Sequence, residues 1–326
     1  RGGARECACP PEDGPIDVKD DPCRWHGGGH LVSALNTAVP SSHLRDASDG
    51  WDNKTQVHPH QASPVSNVQL TLVQIDNYGP WTVTPHPRAE MDLQTLQSRL
   101  YADIAQFVGS RGGYIFFTRF DNMVMVTNGL DGETLQRLQR TVANRFPVTV
   151  SLATAHDPSP VTALEVATTQ LQAAGSAQDH RRTEVLAGEP LPVSAHSADD
   201  VHIAHFDVND ATGRFTDQLN AYDTFIEIEQ AYASLMRYLR AAYGGLSFFV
   251  GGDNMIAVVP ELDAAAYADV IDVVEAETGV VLKVGVGTAS TAQAAGYAAK
   301  HALEECRATG DGVVLAGPAA AVEGDD

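Results

Sequence analysis

The arrangement that most restricts the fold is a domain-sized pattern that the chain runs through twice. In the first pass, Leu70, Leu72, Val73 and Ile75 form a short apolar run ending on Asp76, as in a buried strand with a polar tip. A loop with Gly79, Pro80, Pro85 and Pro87 follows. Leu93, Leu96, Leu100, Ile104 and Phe107 then recur at spacings of three and four, which predicts one apolar helix face closed by Gly109. Tyr114–Phe120 and Met123–Thr127 read as two strands around the turn Phe120-Asp121-Asn122. A helix near 132–145, a strand at 147–154 and a helix at 160–174 complete the unit. The second pass opens with Val201–Phe206, ending in Asp207, and continues with a long helix bearing Ile228, Tyr232, Leu235 and Leu239 on one face. Leu246–Val250 and Met255–Val259 flank Gly251-Gly252-Asp253-Asn254. A helix near 263–278, a strand at 281–287 and a helix at 291–308 follow, and Val313–Leu315 offers an edge strand. Phe116–Met123 lies over Phe248–Met255 residue for residue. The expected fold is therefore α+β: two tandem domains with antiparallel sheets, each backed by helices on one face.

These domains occupy residues 67–174 and 201–316, with 175–200 as the link and 317–326 as an acidic tail. Residues 1–66 differ in character. They are rich in Gly, Pro, His, Asp and Ser and show no periodicity, so they are expected to be disordered. Cys7, Cys9, Cys23, His26 and His30 fit no common zinc spacing. Val65, just before the first strand, is a candidate translation start, which would make the preceding residues a spurious extension. The chain has a net charge of −21 and only four lysines, Lys19, Lys54, Lys283 and Lys300, which reads as adaptation to high salt. Such a surface argues against nucleic acid as a partner, because phosphate backbones need basic residues. No apolar run approaches the roughly 20 residues that span a bilayer, and no signal-peptide pattern is present, so no membrane partner is expected and the expected location is the cytoplasm.

Each copy has one Asp at the end of its first strand and another in its hairpin turn. Asp76 and Asp121 lie 45 positions apart, Asp207 and Asp253 46. Neighbouring carboxylates repel, and a hard cation between them favours their ionised forms. Mg²⁺ suits such oxygen ligands and shares its remaining positions with substrate phosphates. This pattern points to a metal and a phosphate without specifying a reaction.

Gly251-Gly252-Asp253-Asn254 on a hairpin, with Asp207 upstream, resembles the palm domain of class III nucleotidyl cyclases and GGDEF proteins. The fourth position is Asn254 rather than an acid, which departs from the diguanylate cyclase pattern. Gln74-Ile75-Asp76-Asn77-Tyr78-Gly79-Pro80-Trp81-Thr82-Val83-Thr84-Pro85 narrows the resemblance to archaeal GTP cyclohydrolase III. Thr118–Asn122, Gly175–Asp179 and Ala221–Thr224 are similar to that family as well, and the likeness spans about residues 68–316. It implies tandem ferredoxin-like or palm domains and a Mg²⁺-dependent hydrolase of GTP with a K⁺ requirement. The implied product is a formylamino-pyrimidine monophosphate with two phosphates released, on the way to riboflavin and deazaflavin. The implied assembly is a homo-oligomer, a tetramer. A GTP-using nucleotidyl cyclase and a non-catalytic GTP sensor are the competing readings.

Asp76, Asp121, Asp207 and Asp253 are thus the candidate catalytic and metal-binding residues. The backbone of Asn77, Tyr78 and Gly79 offers N–H groups to phosphates. Arg88, Arg99, Arg119 and Arg214 are candidate phosphate clamps. Lys283 stands on a strand at a position that resembles a substrate-facing one in related palms. Tyr78 and Trp81 are candidates to stack on guanine. His156, His202 and His205 are available to move protons, although surface or satisfied structural roles suit them better.

Overall fold

A computed structural model describes residues 66–192 and 201–316. The amino-terminal segment, with its Cys and His residues and Val65, lies outside the described residues, as do 193–200 and the tail from 317.

The first half runs β1 (Val68–Ile75), α1 (Tyr78–Val83), α2 (Glu90–Gly109), β2 (Tyr114–Arg119), β3 (Asn122–Val126), α3 (Gly132–Arg145), β4 (Val150–Asp157), α4 (Pro160–Ala173) and β5 (Leu186–Ala187). The second runs β6 (Val201–Val208), α5 (Ala221–Tyr243), β7 (Leu246–Gly251), β8 (Asn254–Val259), α6 (Ala264–Thr278), β9 (Leu282–Ala289), α7 (Ala292–Thr309) and β10 (Val313–Leu315). Each half builds a five-stranded sheet, ordered β2-β3-β1-β4-β5 and β10-β9-β6-β8-β7. Both are antiparallel except for the short edge strands β5 and β10, which run parallel to β4 and β9. The expected loop at Pro80 is the short helix α1, because proline in a first helical turn forfeits no internal hydrogen bond.

Helices cover both faces of each sheet rather than one. Val73 and Ile75 point into a core with α2 and α3, whereas Leu70 and Leu72 point into a second core with α4. The central strands are apolar on alternate and intervening positions alike, so each face needs a cover. The second core is shared between the halves. Phe116 of β2 stacks on Phe248 of β7 with ring centroids 4.4 Å apart and planes 4° from parallel. Around this stack the halves exchange matching backbone hydrogen bonds. Val161 N–H donates to the Gly244 carbonyl, and Gln293 N–H to the Gly112 carbonyl.

The strand registers correct one alignment made from sequence. Gln74 faces Asn122 on one side and Ser151 on the other, while Asp207 faces Asn254 and Lys283. Asn122 and Asn254 hold the same place in their hairpins, so Asp207 is the counterpart of Gln74. The counterpart of Asp76 is Asn209, two residues further on. The two positions are confirmed by their backbone: Asp76 N–H donates to Thr149 O, and Asn209 N–H to Val281 O. Similar carboxylate spacing in the two copies is therefore coincidental, produced by a length difference between the first strand and the hairpin.

Residues 175–192, expected to link the halves, belong to the first. Asn77 N–H donates to Ala177 O, β5 pairs with β4, and Leu191 N–H donates to the Gln69 amide oxygen in the core.

Candidate functional site

The first half gathers its polar residues where β1 ends beside the β2–β3 turn. Ile75 N–H donates to the Asp121 carbonyl at 3.0 Å, which fixes the turn against the strand tip. The Asp76 carboxylate is almost completely buried. Its Oδ1 accepts from Ser151 Oγ at 2.5 Å, and its Oδ2 from Thr149 Oγ1 at 2.7 Å and Glu184 N–H at 2.8 Å. All three donors are neutral. A carboxylate has about four lone-pair sites, so one remains, on Oδ1. Asp121 accepts from the Asn122 amide at 2.8 Å and from Arg119 at 2.9 Å; the Arg119 side chain is largely exposed, so solvent screens that pair.

Asn77, next to Asp76, adopts a left-handed backbone conformation with φ 50°. Its side-chain oxygen is buried and has no hydrogen-bond partner. A buried acceptor without a donor is costly unless something else binds it. Asp76 and Asn77 thus present oxygen donors to one cleft, a chemistry that suits Mg²⁺, while Asp121 on the adjoining turn is paired with Arg119. Among the described residues no three His, Cys, Asp or Glu side chains converge on one point. The remaining ligands of such an ion would be waters and phosphates, the way Mg²⁺ is usually held.

The Asn77 N–H is already given to Ala177 O, so it is not free for a phosphate as expected; the N–H groups of Tyr78 and Gly79 open α1. Asp76, Asn77, Trp81, Thr149 and His180 line a cleft of about 380 Å³. A larger one of about 860 Å³, sharing Trp81, Phe146 and Pro147, contains Arg88, Arg99 and Arg145. Tyr78 stacks beside Trp81 at 6.0 Å, and Arg88 lies over the indole at 3.8 Å while donating to the Trp81 carbonyl. That indole face is therefore taken by Arg88 rather than open to guanine. The Tyr78 hydroxyl accepts from Gln97, and burial, partly offset by that bond, pushes its pKa up.

Arg182 was not foreseen. It is 5% exposed, its Nη1 donates to Gln74 Oε1 at 2.8 Å, and its Nε and Nη2 have no partner. Gln74 passes a hydrogen bond to Asn122 Oδ1 at 3.0 Å, and Asn122 passes one to Asp121. The chain Arg182–Gln74–Asn122–Asp121 orients the turn carboxylate. Thr149 and Ser151 were missed too; their only sequence signal was alternation along a strand. The Gly175–Asp179 match did point to the segment that leads into Arg182 and Glu184.

The second half is different. Asp207, with its side chain 3% exposed, is ion-paired with Lys283 Nζ at 3.2 Å on Oδ2; Arg307 Nη2 stands 2.9 Å from Oδ1, yet that buried oxygen has no well-directed hydrogen bond. Lys283 thus faces a carboxylate of its own chain. Asp253 accepts from Asn254 at 2.9 Å, and burial, followed by the Asp207 charge, raises its pKa above the ordinary carboxylate value. His205 Nε2 sits 3.0 Å from Asn254 Oδ1, and burial lowers its pKa. His202 Nδ1 pairs with Thr288 Oγ1, and His156 is exposed. Arg214 donates to the Gly279 carbonyl in the turn after α6, so the structure does not bring it to Asp76. The Cys306 thiol is buried in α7 and donates to Val284 O.

A family model described as GTP cyclohydrolase III matches residues 69–319. The chain is 65% identical over 243 residues to GTP cyclohydrolase III of Natronomonas pharaonis, a match covering 74% of this chain and 96% of the relative. It is 58% identical over 251 residues to that of Halorubrum lacusprofundi, covering 77% and 97%. Against the Methanocaldococcus jannaschii protein of that description the identity is 44% over 241 residues, covering 74% and 88%. No described helix is long and apolar enough to cross a membrane.

Proposed function

The chain belongs to the GTP cyclohydrolase III family, and from that premise we propose that its first half is the metal and triphosphate centre of an enzyme that opens the imidazole ring of GTP. Water adds at C8 of guanine and the C8–N9 bond breaks, leaving the formyl group on the pyrimidine. Water also cleaves the bond between the α- and β-phosphates, and the pyrophosphate is split. The product is 2-amino-5-formylamino-6-(5-phosphoribosylamino)pyrimidin-4(3H)-one with two phosphates, a precursor chemistry suited to riboflavin and deazaflavin. The proposed location of the reaction is the cytoplasm.

The observation that carries this reading is the buried Asp76, surrounded by neutral donors, beside Asp121 and the unpartnered Asn77 oxygen. When bound, Mg²⁺ supplies Lewis-acid polarisation of phosphoryl oxygens and an acidified water. Asp76, Asp121 and Asn77 are its candidate ligands. Ser151, Thr149 and Glu184 N–H keep Asp76 from rotating, so its free lone pair stays aimed. The chain from Arg182 does the same for Asp121. Arg99, which lines the larger cleft, is the arginine best placed to meet phosphates, since Arg88 and Arg214 already hold backbone carbonyls and Arg119 is paired with Asp121. K⁺ is the proposed monovalent cation, and a homo-oligomer, a tetramer, the proposed assembly.

The test is the product. The protein is incubated with GTP, Mg²⁺ and K⁺ and the products are followed by mass and by phosphate release. The formylamino-pyrimidine monophosphate is expected. Free formate, or a 3′,5′-cyclic nucleotide as sole product, overturns the reading.

A further inference from the structure

α5 carries two apolar faces, and only one of them is covered. Ile228, Ala231, Leu235 and Leu239 are buried in the core of the second half. On the outer side Tyr222, Ile226, Glu229, Ala233, Met236 and Arg240 recur at spacings that alternate between four and three. That repeat keeps one seam of a helix against a second helix along its length. Tyr222 is 71% exposed, Phe225 beside it 47%, and Ile226 and Met236 39% each; no other helix among the described residues exposes more than one large apolar side chain. We propose that this seam is an interface between two copies of the chain, with α5 of one packed antiparallel on α5 of the other across a twofold axis. The proposal gives the homo-oligomer inferred above a contact surface and rests on that reading.

Charge identifies the occupant. The chain has 42 acidic residues and a net charge of −21, so two copies repel, and any face on which they meet must be poor in acid. Glu229 is the one acid on the seam. It lies in the amino-terminal half of α5, while Arg237 and Arg240 lie in the last two turns. In an antiparallel pair centred on Ala233, a residue small enough for close approach, Glu229 of each copy meets Arg237 of the other. Ile226 of each then sits between Met236 and Arg240 of the other. The seam is thus self-complementary, as a twofold contact requires. A parallel pair would set Glu229 against Glu229 and align the two helix dipoles. Within the chain Arg237 pairs with Glu277 at 3.4 Å and Arg240 with Glu165 at 2.8 Å. All four of these side chains are more than half exposed, so solvent screens both pairs and either arginine can turn to a new partner.

Sedimentation equilibrium of the full chain over a range of concentrations measures the assembly, for the unaltered protein and for Ile226→Glu and Met236→Glu. Circular dichroism checks that each variant keeps its fold. The unaltered protein should contain an even number of copies. Each variant should fall to half that mass, or dissociate at a concentration about tenfold or more higher, because it sets a charge in an apolar contact. Charge reversal tests the pairing separately: Glu229→Arg alone should weaken association, and adding Arg237→Glu should restore it. These two exposed positions keep the test open if Ile226→Glu does not fold. Folded variants with unaltered mass and affinity overturn the proposal, and so does a double variant that associates no more tightly than Glu229→Arg. An unaltered protein that is monomeric at every concentration overturns the homo-oligomer reading as well. An oligomer indifferent to all these changes leaves that reading standing and sinks only this interface.

Discussion

Asp76 does two jobs, and its replacement separates them. Its three hydrogen bonds are all accepted, so Asp76→Asn sets an N–H₂ against a hydroxyl or backbone donor. The metal-free protein should lose roughly 1–3 kcal/mol, seen as a lower melting temperature in EDTA. Relief of carboxylate repulsion would act in the opposite direction, and the loss of these accepted bonds outweighs it. Asp121→Asn, in a half-exposed turn whose pair with Arg119 is screened by solvent, should change stability little. In both variants Mg²⁺ and GTP binding should weaken together and turnover should drop by orders of magnitude, as when several kcal/mol of charge stabilisation are removed; near-normal turnover at limiting Mg²⁺ refutes the assignment. His205 makes a pH-dependent contribution of known sign. Its pKa is lowered by burial, and the groups facing it are Asn254, Asp207, Lys300 and Arg307. Below the usual histidine value near 6.5 the unfolded chain gains a proton that the folded chain resists. Stability is therefore full above that pH and falls as pH drops through it. Urea midpoints between pH 8 and 5 should fall less steeply for His205→Gln. Asp76 and Asp121 were legible in sequence because they stand at a strand tip and a turn. Asp207 misled because a shift of two residues along a strand keeps a side chain on the same face, so only the register distinguishes the positions.

Among the elements, β9 and α7 form the closest pair. A Cβ on Gly285 would stand 2.1 Å from Leu303 N and 2.3 Å from Ala299 O, and one on Gly287 2.2 Å from Ala295 O. Backbone atoms of a helix cannot yield as a side chain can. Gly285→Ala should therefore cost about 3 kcal/mol or more, measurable by chemical denaturation, whereas Gly279→Ala, where space is open but φ is +73°, should cost only about 1 kcal/mol. The helices and hairpins were readable from periodicity of three to four and two. β5 was not, since two residues have no period, and neither was its segment's return to the first sheet through Glu184 and Leu191. Long-range hydrogen bonds of a loop leave no local pattern.

For the molecule as a whole, a net charge of −21 means self-repulsion that added salt screens. The melting temperature should climb between 0.1 and 2 M KCl, extremes chosen to take the screening length from about 10 Å to below about 3 Å; a flat or falling curve would contradict the high-salt reading. The duplication was plain in the sequence, but the way its copies meet was not, because Phe116 and Phe248 look like ordinary strand residues until the sheets are placed face to face. Their stack, with the reciprocal bonds of Val161 to Gly244 and Gln293 to Gly112, gives the halves a common interior. Neither half has a finished surface on that side. Calorimetry should accordingly record one heat-absorption peak whose calorimetric and van't Hoff enthalpies agree, and the two halves produced as separate polypeptides should be individually unstable yet recover the native spectrum when mixed, each acting as the other's template.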